Sequence, residues 1–289
     1  MTEEYLVDGN GIDIMEEPWK VLVILDACRY DFFKEIYKDF FPEPNLELVI
    51  SPSTSTMEWL LSVFGNEFFE DIVYISGSPY VNSKIETVSP AVGSFKATDH
   101  FPVIDDVWNW GWDKKRSTVN PWNINKGFLR AYKKYGNSMR YILHYMQPHA
   151  PYRKLKWNTN RTPSPGAVGN RNEQIIDVFK RIIGERTTKW FGEVTVWTIG
   201  RLFHIPCRYP MQYAFYKVGL NGLRSLYKDN LIFVLEAVSA LADIIEGNIL
   251  VTADHGERLG EHMRFGHWQP RHKEVVEVPW MWIEHSNIE

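Results

Sequence analysis

The chain is poor in cysteine, with only Cys28 and Cys207 among 289 residues. Two thiols so far apart exclude a disulfide framework and a cysteine-built zinc site. Long apolar runs are also missing: no window reaches the roughly 18 residues of a membrane span. There is no basic excess either. A formal net charge of −4 argues against non-specific nucleic-acid binding, which needs a basic face. The opening Met1-Thr-Glu-Glu-Tyr5 lacks the basic and apolar regions of a signal peptide. Together these absences lead to the expectation of a cytoplasmic protein with no transmembrane segment and no nucleic-acid partner. Aromatic residues, by contrast, are abundant at 15%, including 12 Trp. Large aromatic cores account for such a content, and stacking surfaces for a sugar are the alternative.

Hydrophobic periodicity organises residues 20–289 as one α/β domain behind a loose lead-in, 1–19, that contains Gly9, Gly11 and Pro18. Apolar, β-branched runs predict strands near 21–25, 47–50, 71–76, 140–146, 249–253 and 278–283. Helical spacing predicts helices over 29–38, 57–64, 123–135 and 223–246, the last stopped by Gly247. Alternation of this kind builds βαβ units, hence a mostly parallel, mixed central sheet with helices on both faces. Two stretches interrupt it. Residues 84–122 have little periodicity and four tryptophans, and 153–220 read as a polar lid over 153–171 followed by an aromatic-rich cap over 188–220.

Chemistry-bearing residues gather at the predicted strand ends, where ligands sit in open α/β sheets. The run Ile249-Leu-Val-Thr-Ala253 delivers Asp254, His255, the turn residue Gly256 and Glu257. The run Val21-Leu-Val-Ile-Leu25 delivers Asp26, with Arg29 close behind. Neighbouring parallel strands would bring Asp26 and Asp254 together, and a divalent cation resolves their repulsion better than protonation of one of them. A third strand leads into the hydroxyl-rich Ser53-Thr54-Ser55-Thr56, at the start of a helix whose free N–H groups suit an anion. A fourth leads to His149, between Pro148 and Pro151. The loop after Asp254 adds His262, His267 and His272, whereas His144, inside a strand, reads as a core histidine. A cation beside a hydroxyl is a recipe for ester hydrolysis, because the ion lowers the hydroxyl pKa and offsets developing charge.

Asp26 after an apolar strand, Pro148-His149-Ala-Pro-Tyr152, Asp254-His255-Gly256-Glu257, and Gly266-His267 followed by Val278-Pro279 together resemble the alkaline phosphatase/sulfatase superfamily. The similarity runs from about residue 20 to the C-terminus, and sulfatase-like hydrolases and phosphoglycerol transferases are the nearest pattern. It implies an alkaline-phosphatase-like sheet and one divalent metal ion (Mn, Zn, Mg or Ca) held by Asp26, the nucleophile, Asp254 and His255. It implies further that His149 and His267 meet the substrate anion, its leaving group or the metal, and that His149 serves catalysis; Arg29, read from its position alone, either binds the anion or pairs with Asp31 within the first helix turn. The implied substrate is an anionic ester, glycan- or glycerol-linked. Two departures shape the reading. No Cys/Ser-x-Pro-x-Arg pattern is present, so phosphate esters are expected ahead of the alternative, sulfuric esters. No Asp-x-x-x-His pair precedes Asp254-His255, so one metal is expected rather than two. A catalytically silent relative binding an anionic glycan or a protein partner is the reading from another class. In the family the nucleophile commonly lies two positions before a proline that opens the helix. Met57 holds that place here, which selects Ser55. Ser55-x-x-Glu58 also fits a capping box, which leaves Thr54 and Thr56 open as nucleophiles.

Overall fold

The computed structural model describes residues 13–41, 45–157, 185–207, 209–268 and 270–284. Its centre is a seven-stranded sheet. In chain order the strands are β1 (Val21–Leu25), β2 (Asn45–Ile50), β3 (Ile72–Ser76), β4 (Val103–Asp106), β5 (Arg140–Tyr145), β6 (Ile249–Thr252) and β7 (Glu277–Ile283). Their spatial order is β2-β7-β6-β1-β5-β3-β4. The pairs from β6 through β1, β5 and β3 to β4 are parallel, and β7 runs against both β6 and β2. The longer helices are α1 (Tyr30–Ile36), α2 (Thr56–Phe64), α3 (Pro121–Tyr135), α4 (Glu185–Leu202) and α5 (Pro210–Ala242). The mixed, mostly parallel sheet expected from the sequence is the observed one.

The apolar strands are buried on both faces, and their period of two splits them between two cores. Val21, Val23, Leu25, Tyr141, Leu143, Ile249 and Val251 join Phe33 of α1, Phe128 of α3 and Leu231, Val234 and Val238 of α5. The alternate residues Leu22, Ile24, Ile142 and Leu250 face the other way, onto Met57, Trp59, Leu60 and Phe64 of α2. Edge-to-face contacts of Phe64 with Trp59, Tyr74 and Phe101 tighten this second core. Large aromatic residues such as Trp19, Phe33, Phe64, Trp108 and Tyr145 are thus core.

Several boundaries differ from expectation. The helix expected from 223 begins at Pro210, with a break at Gly219, where φ is +72°. That break disrupts the periodicity, and the segment before it reads as patternless cap. The excursion 84–122 contributes β4 to the sheet edge and two small hairpins, 87–95 and 112–119. Most of the lead-in and of the expected lid lies outside the described residues. The cap segment supplies α4, where Trp197 stacks on Phe265 at 4.0 Å between ring centroids. No helix among the described residues is long and apolar enough to cross a membrane.

His144 lies in β5 with no exposed surface, its Nδ1 2.8 Å from the Tyr74 hydroxyl, in the core role read from the sequence. Burial lowers its pKa from 6.5 to about 4. Between those values the unfolded chain binds the extra proton, so the contribution to stability is full above 6.5 and fades as pH falls toward 4. We expect about 2 kcal/mol of stability to be lost from this group between pH 7 and pH 5. His144→Leu should remove that part of the pH dependence in denaturant unfolding, and an equal loss in the variant would contradict the assignment.

Candidate metal and catalytic site

The parallel register of β1 and β6 pairs Ile24 with Thr252, so two steps further Asp26 stands beside Asp254 at the strand tips. Both residues are buried. The chain turns at once behind each carboxylate. Ala27 takes a left-handed backbone (φ +60°), its N–H donates to Asp254 Oδ1 at 3.1 Å, and its carbonyl accepts from the Tyr227 hydroxyl of α5. On the other strand, Gly256 donates to the Val275 carbonyl at 2.7 Å, and a Cβ on it would lie 2.3 Å from the Glu274 carbonyl oxygen. Only glycine permits that approach. Asp254 Oδ1 also accepts from the His255 N–H, which leaves Oδ2 aimed into the site.

Four side chains converge there. The Thr56 hydroxyl donates to Asp254 Oδ2 at 2.7 Å and lies 3.5 Å from His255 Nε2. His255 Nε2 is 3.5 Å from Asp254 Oδ2 and 3.8 Å from Asp26 Oδ1. His255 Nδ1 faces the Gly256 carbonyl at 2.8 Å; a carbonyl only accepts, so the proton sits on Nδ1 and the Nε2 lone pair faces the carboxylates. The same device repeats nearby. His149 Nδ1 is tied to the Ala150 carbonyl and His267 Nδ1 to the Thr54 carbonyl. With Glu257, these two histidines bring a second set of ligand atoms within 4.8 Å of one another. His267 packs on His255, ring centroids 4.2 Å apart, so the two sets adjoin.

Charge is concentrated and poorly solvated. Burial, with Asp254 and Glu257 nearby, pushes Asp26 well above the usual carboxylate range against the pull of His149. Burial likewise lifts Glu257 to about 7, although His149 and Arg29 oppose it. Desolvation lowers His149, but Glu257, 3.5 Å away, and Asp26 outweigh it and raise the imidazole to about 9. His267 and His255 are held down, chiefly by burial.

The expected site residues fall into two groups. Asp26, Thr56, Asp254 and His255 meet, with His149 and His267 alongside. Ser55, selected on spacing, is the N-cap of α2, its hydroxyl accepting from the Glu58 N–H. Thr54 gives both its N–H and its hydroxyl to Glu58. The capping-box pattern itself carried this information, since a cap at Ser55 makes Thr56 the first helical residue. Arg29 does not open onto the site: its guanidinium is taken by Asp31, Glu261 and the Glu257 carbonyl. Sequence reasoning gave Glu257 no role, yet it is buried against His149. It also missed Asn230 of α5, fully buried, whose amide reaches the Pro148, His149 and Pro151 carbonyls and fixes the His149 loop.

The mixed seven-stranded sheet flanked by helices is an alkaline-phosphatase-like fold. Among solved structures the chain is similar to lipooligosaccharide phosphoethanolamine transferase A, an integral membrane protein of Neisseria meningitidis. The TM-score is 0.56 at 13% identity, over 91% of this chain and 47% of that one, so the chain spans about half the length of that enzyme. The soluble domain of the same transferase gives 0.51 at 14% identity, over 91% of this chain and 75% of that one. A phosphonate monoester hydrolase from Silicibacter pomeroyi gives 0.44 at 14% identity, over 91% and 67%. No family model and no curated protein sequence matches. At these identities the likeness establishes the fold, and it lends no support to the cytoplasmic location expected from the sequence.

The donor set fits a divalent cation. Asp26, Asp254 and His255 each offer a buried ligand atom within 4.8 Å of the others, and Asp26 has no side-chain hydrogen bond among the described residues. Buried acids without a counter-charge are costly, and a cation removes that cost. Elemental analysis of purified protein should find a divalent metal that Asp254→Ala loses. Equal occupancy in the folded parent and variant would contradict the assignment.

Proposed function

We propose that the chain is a metal-dependent enzyme that transfers or hydrolyses phosphate esters, with Thr56 as its nucleophile and one cation at Asp26, Thr56, Asp254 and His255. The observation that carries this reading is the Thr56 hydroxyl, first residue of α2, 2.7 Å from Asp254 Oδ2 among the candidate ligands. A bound cation would lower the hydroxyl pKa and offset charge on the phosphoryl group. Asp254 Oδ2, 2.7 Å away, would take the Thr56 proton. The positive end of α2 favours the alkoxide, and a bond then forms from Oγ1 to phosphorus as the bond to the leaving alcohol oxygen breaks. His149, raised to about 9, carries a proton at neutral pH that it can give to that oxygen. Water or an acceptor alcohol releases the phosphoryl group in a second displacement at phosphorus.

Phosphate is preferred to sulfate in this reading because the formylglycine pattern is missing and an unmodified threonine stands at the site. Two structures with TM-scores above 0.5 bear the name phosphoethanolamine transferase, which supports phosphoryl transfer to or from a lipid- or glycan-linked alcohol. Zinc and manganese suit the mixed Asp, His and hydroxyl donor set better than calcium does.

Alanine replacements in the hydroxyl cluster test the assignment. Thr56→Ala should stay folded and lose turnover of aryl phosphate mono- and diesters by at least about a thousandfold, as loss of an activated nucleophile does. Ser55→Ala should lose about 1 kcal/mol of stability, the usual value of a cap, and keep most of its activity. The reverse pattern would make Ser55 the nucleophile. Aryl sulfate should turn over more slowly than aryl phosphate under the same metal loading, and a preference for sulfate would reverse the substrate assignment.

A further inference from the structure

A third group of ligand atoms lies apart from the residues assigned above. Its first member, His262, sits in the turn 261–263, where His262 and Met263 both adopt left-handed backbone (φ +51° and +58°) after Gly260. The second, His272, caps the short helical turn Lys273–Val276, which carries the third, Glu274. One ligand atom from each lies within 4.8 Å of the other two. His262 Nε2 is 3.5 Å from Glu274 Oε2, and the two imidazole rings stack with centroids 4.3 Å apart and planes 12° from parallel.

The 3.5 Å separation is close to that within a coordination shell, and the remaining ones lie within 4.8 Å. Donors around a tetrahedral zinc at its usual bond lengths stand about 3.3 Å apart. Glu274 is 7% exposed, and its Oε2 has no hydrogen-bond partner among the described residues. A buried carboxylate oxygen in that state is costly unless something else satisfies it. No arginine or lysine bonds to that oxygen among the described residues, although Arg258 Nη1 is likewise buried without a partner. Arg258 donates to the Gly266 and Trp268 carbonyls, and Glu261 is bound by Arg29 and Arg224.

We propose that His262, His272 and Glu274 form a separate divalent-cation site that takes zinc. Two imidazoles and one carboxylate are a zinc donor set, whereas calcium and magnesium prefer oxygen throughout. The exposed edge of His262 leaves space for water as a further ligand. The site closes a loop. His262 and His272 stand at the two ends of the segment that carries His267, whose Nδ1 is already tied to Thr54. A cation between them joins those ends and reduces the conformations open to the His267 segment. It positions His267 without touching substrate.

Zinc titration of the chelator-stripped full chain tests this. The parent should bind one more equivalent than His262→Ala and one more than Glu274→Gln. The same decrement should appear when either change is added to Asp254→Ala, so loss of the central metal is scored separately. Equal stoichiometry in parent and both variants would overturn the proposal, as would loss confined to His262→Ala, which marks a lone surface histidine. A readout without substitutions guards against misfolding. Diethyl pyrocarbonate labelling of the parent, mapped by mass spectrometry, should show His262 protected by saturating zinc, and unchanged labelling there would also overturn the site.

Discussion

The structure depends on holding two carboxylates together where they repel. Asp26 and Asp254 end adjacent parallel strands, both buried, with His255 closing the third side. Burial alone would keep one acid protonated. The surroundings instead hold both in a fixed geometry that a cation would stabilise. The left-handed turn at Ala27, the approach that only Gly256 allows, and the Tyr227 hydroxyl bridging the Ala27 carbonyl and the Arg29 N–H all serve that geometry. Their cost is local and is offset by two apolar cores packed on either side of the same strands.

Around this centre separate elements of the chain orient the side chains. Helix α2 brings Thr56 from one face of the sheet, and its N-cap Ser55 sets the entry of the chain so that Thr56 points inward. Helix α5 works from the other face, through Asn230 on the His149 loop and Tyr227 on the Asp26 turn. The Nδ1 atoms of His149, His255 and His267 all face backbone carbonyls, so all three present Nε2 to the site. Arg29 ties the two turns by linking Asp31 to Glu261 and the Glu257 carbonyl. It is a brace between them.

Much of this was legible in the sequence because buried parallel strands leave an unmistakable mark. The runs 21–25 and 249–252 end in acids, and strand pairing then dictates that the acids meet. The antiparallel β7 and the edge strand β4 were less legible, since pairing direction is decided by long-range packing rather than by local pattern. The early start of α5 was hidden by the break at Gly219, and the cap ahead of it carries no clean period. Choosing among adjacent hydroxyls required knowing which one is the cap. A one-residue shift along a helix start turns a side chain by about 100°, so family spacing relative to an absent proline leaves adjacent hydroxyls hard to tell apart. Glu257 escaped notice because burial, which gives it its partner His149, is not written in the residues beside it.

The most direct measurement is anomalous X-ray scattering from crystals grown with zinc, collected on both sides of the metal's absorption edge. The account predicts a peak about 2.0–2.2 Å from carboxylate oxygens of Asp26 and Asp254 and from His255 Nε2, with Thr56 Oγ1 in the same shell. A peak coordinated by Ser55 in place of Thr56, or no peak between Asp26 and Asp254, would contradict it.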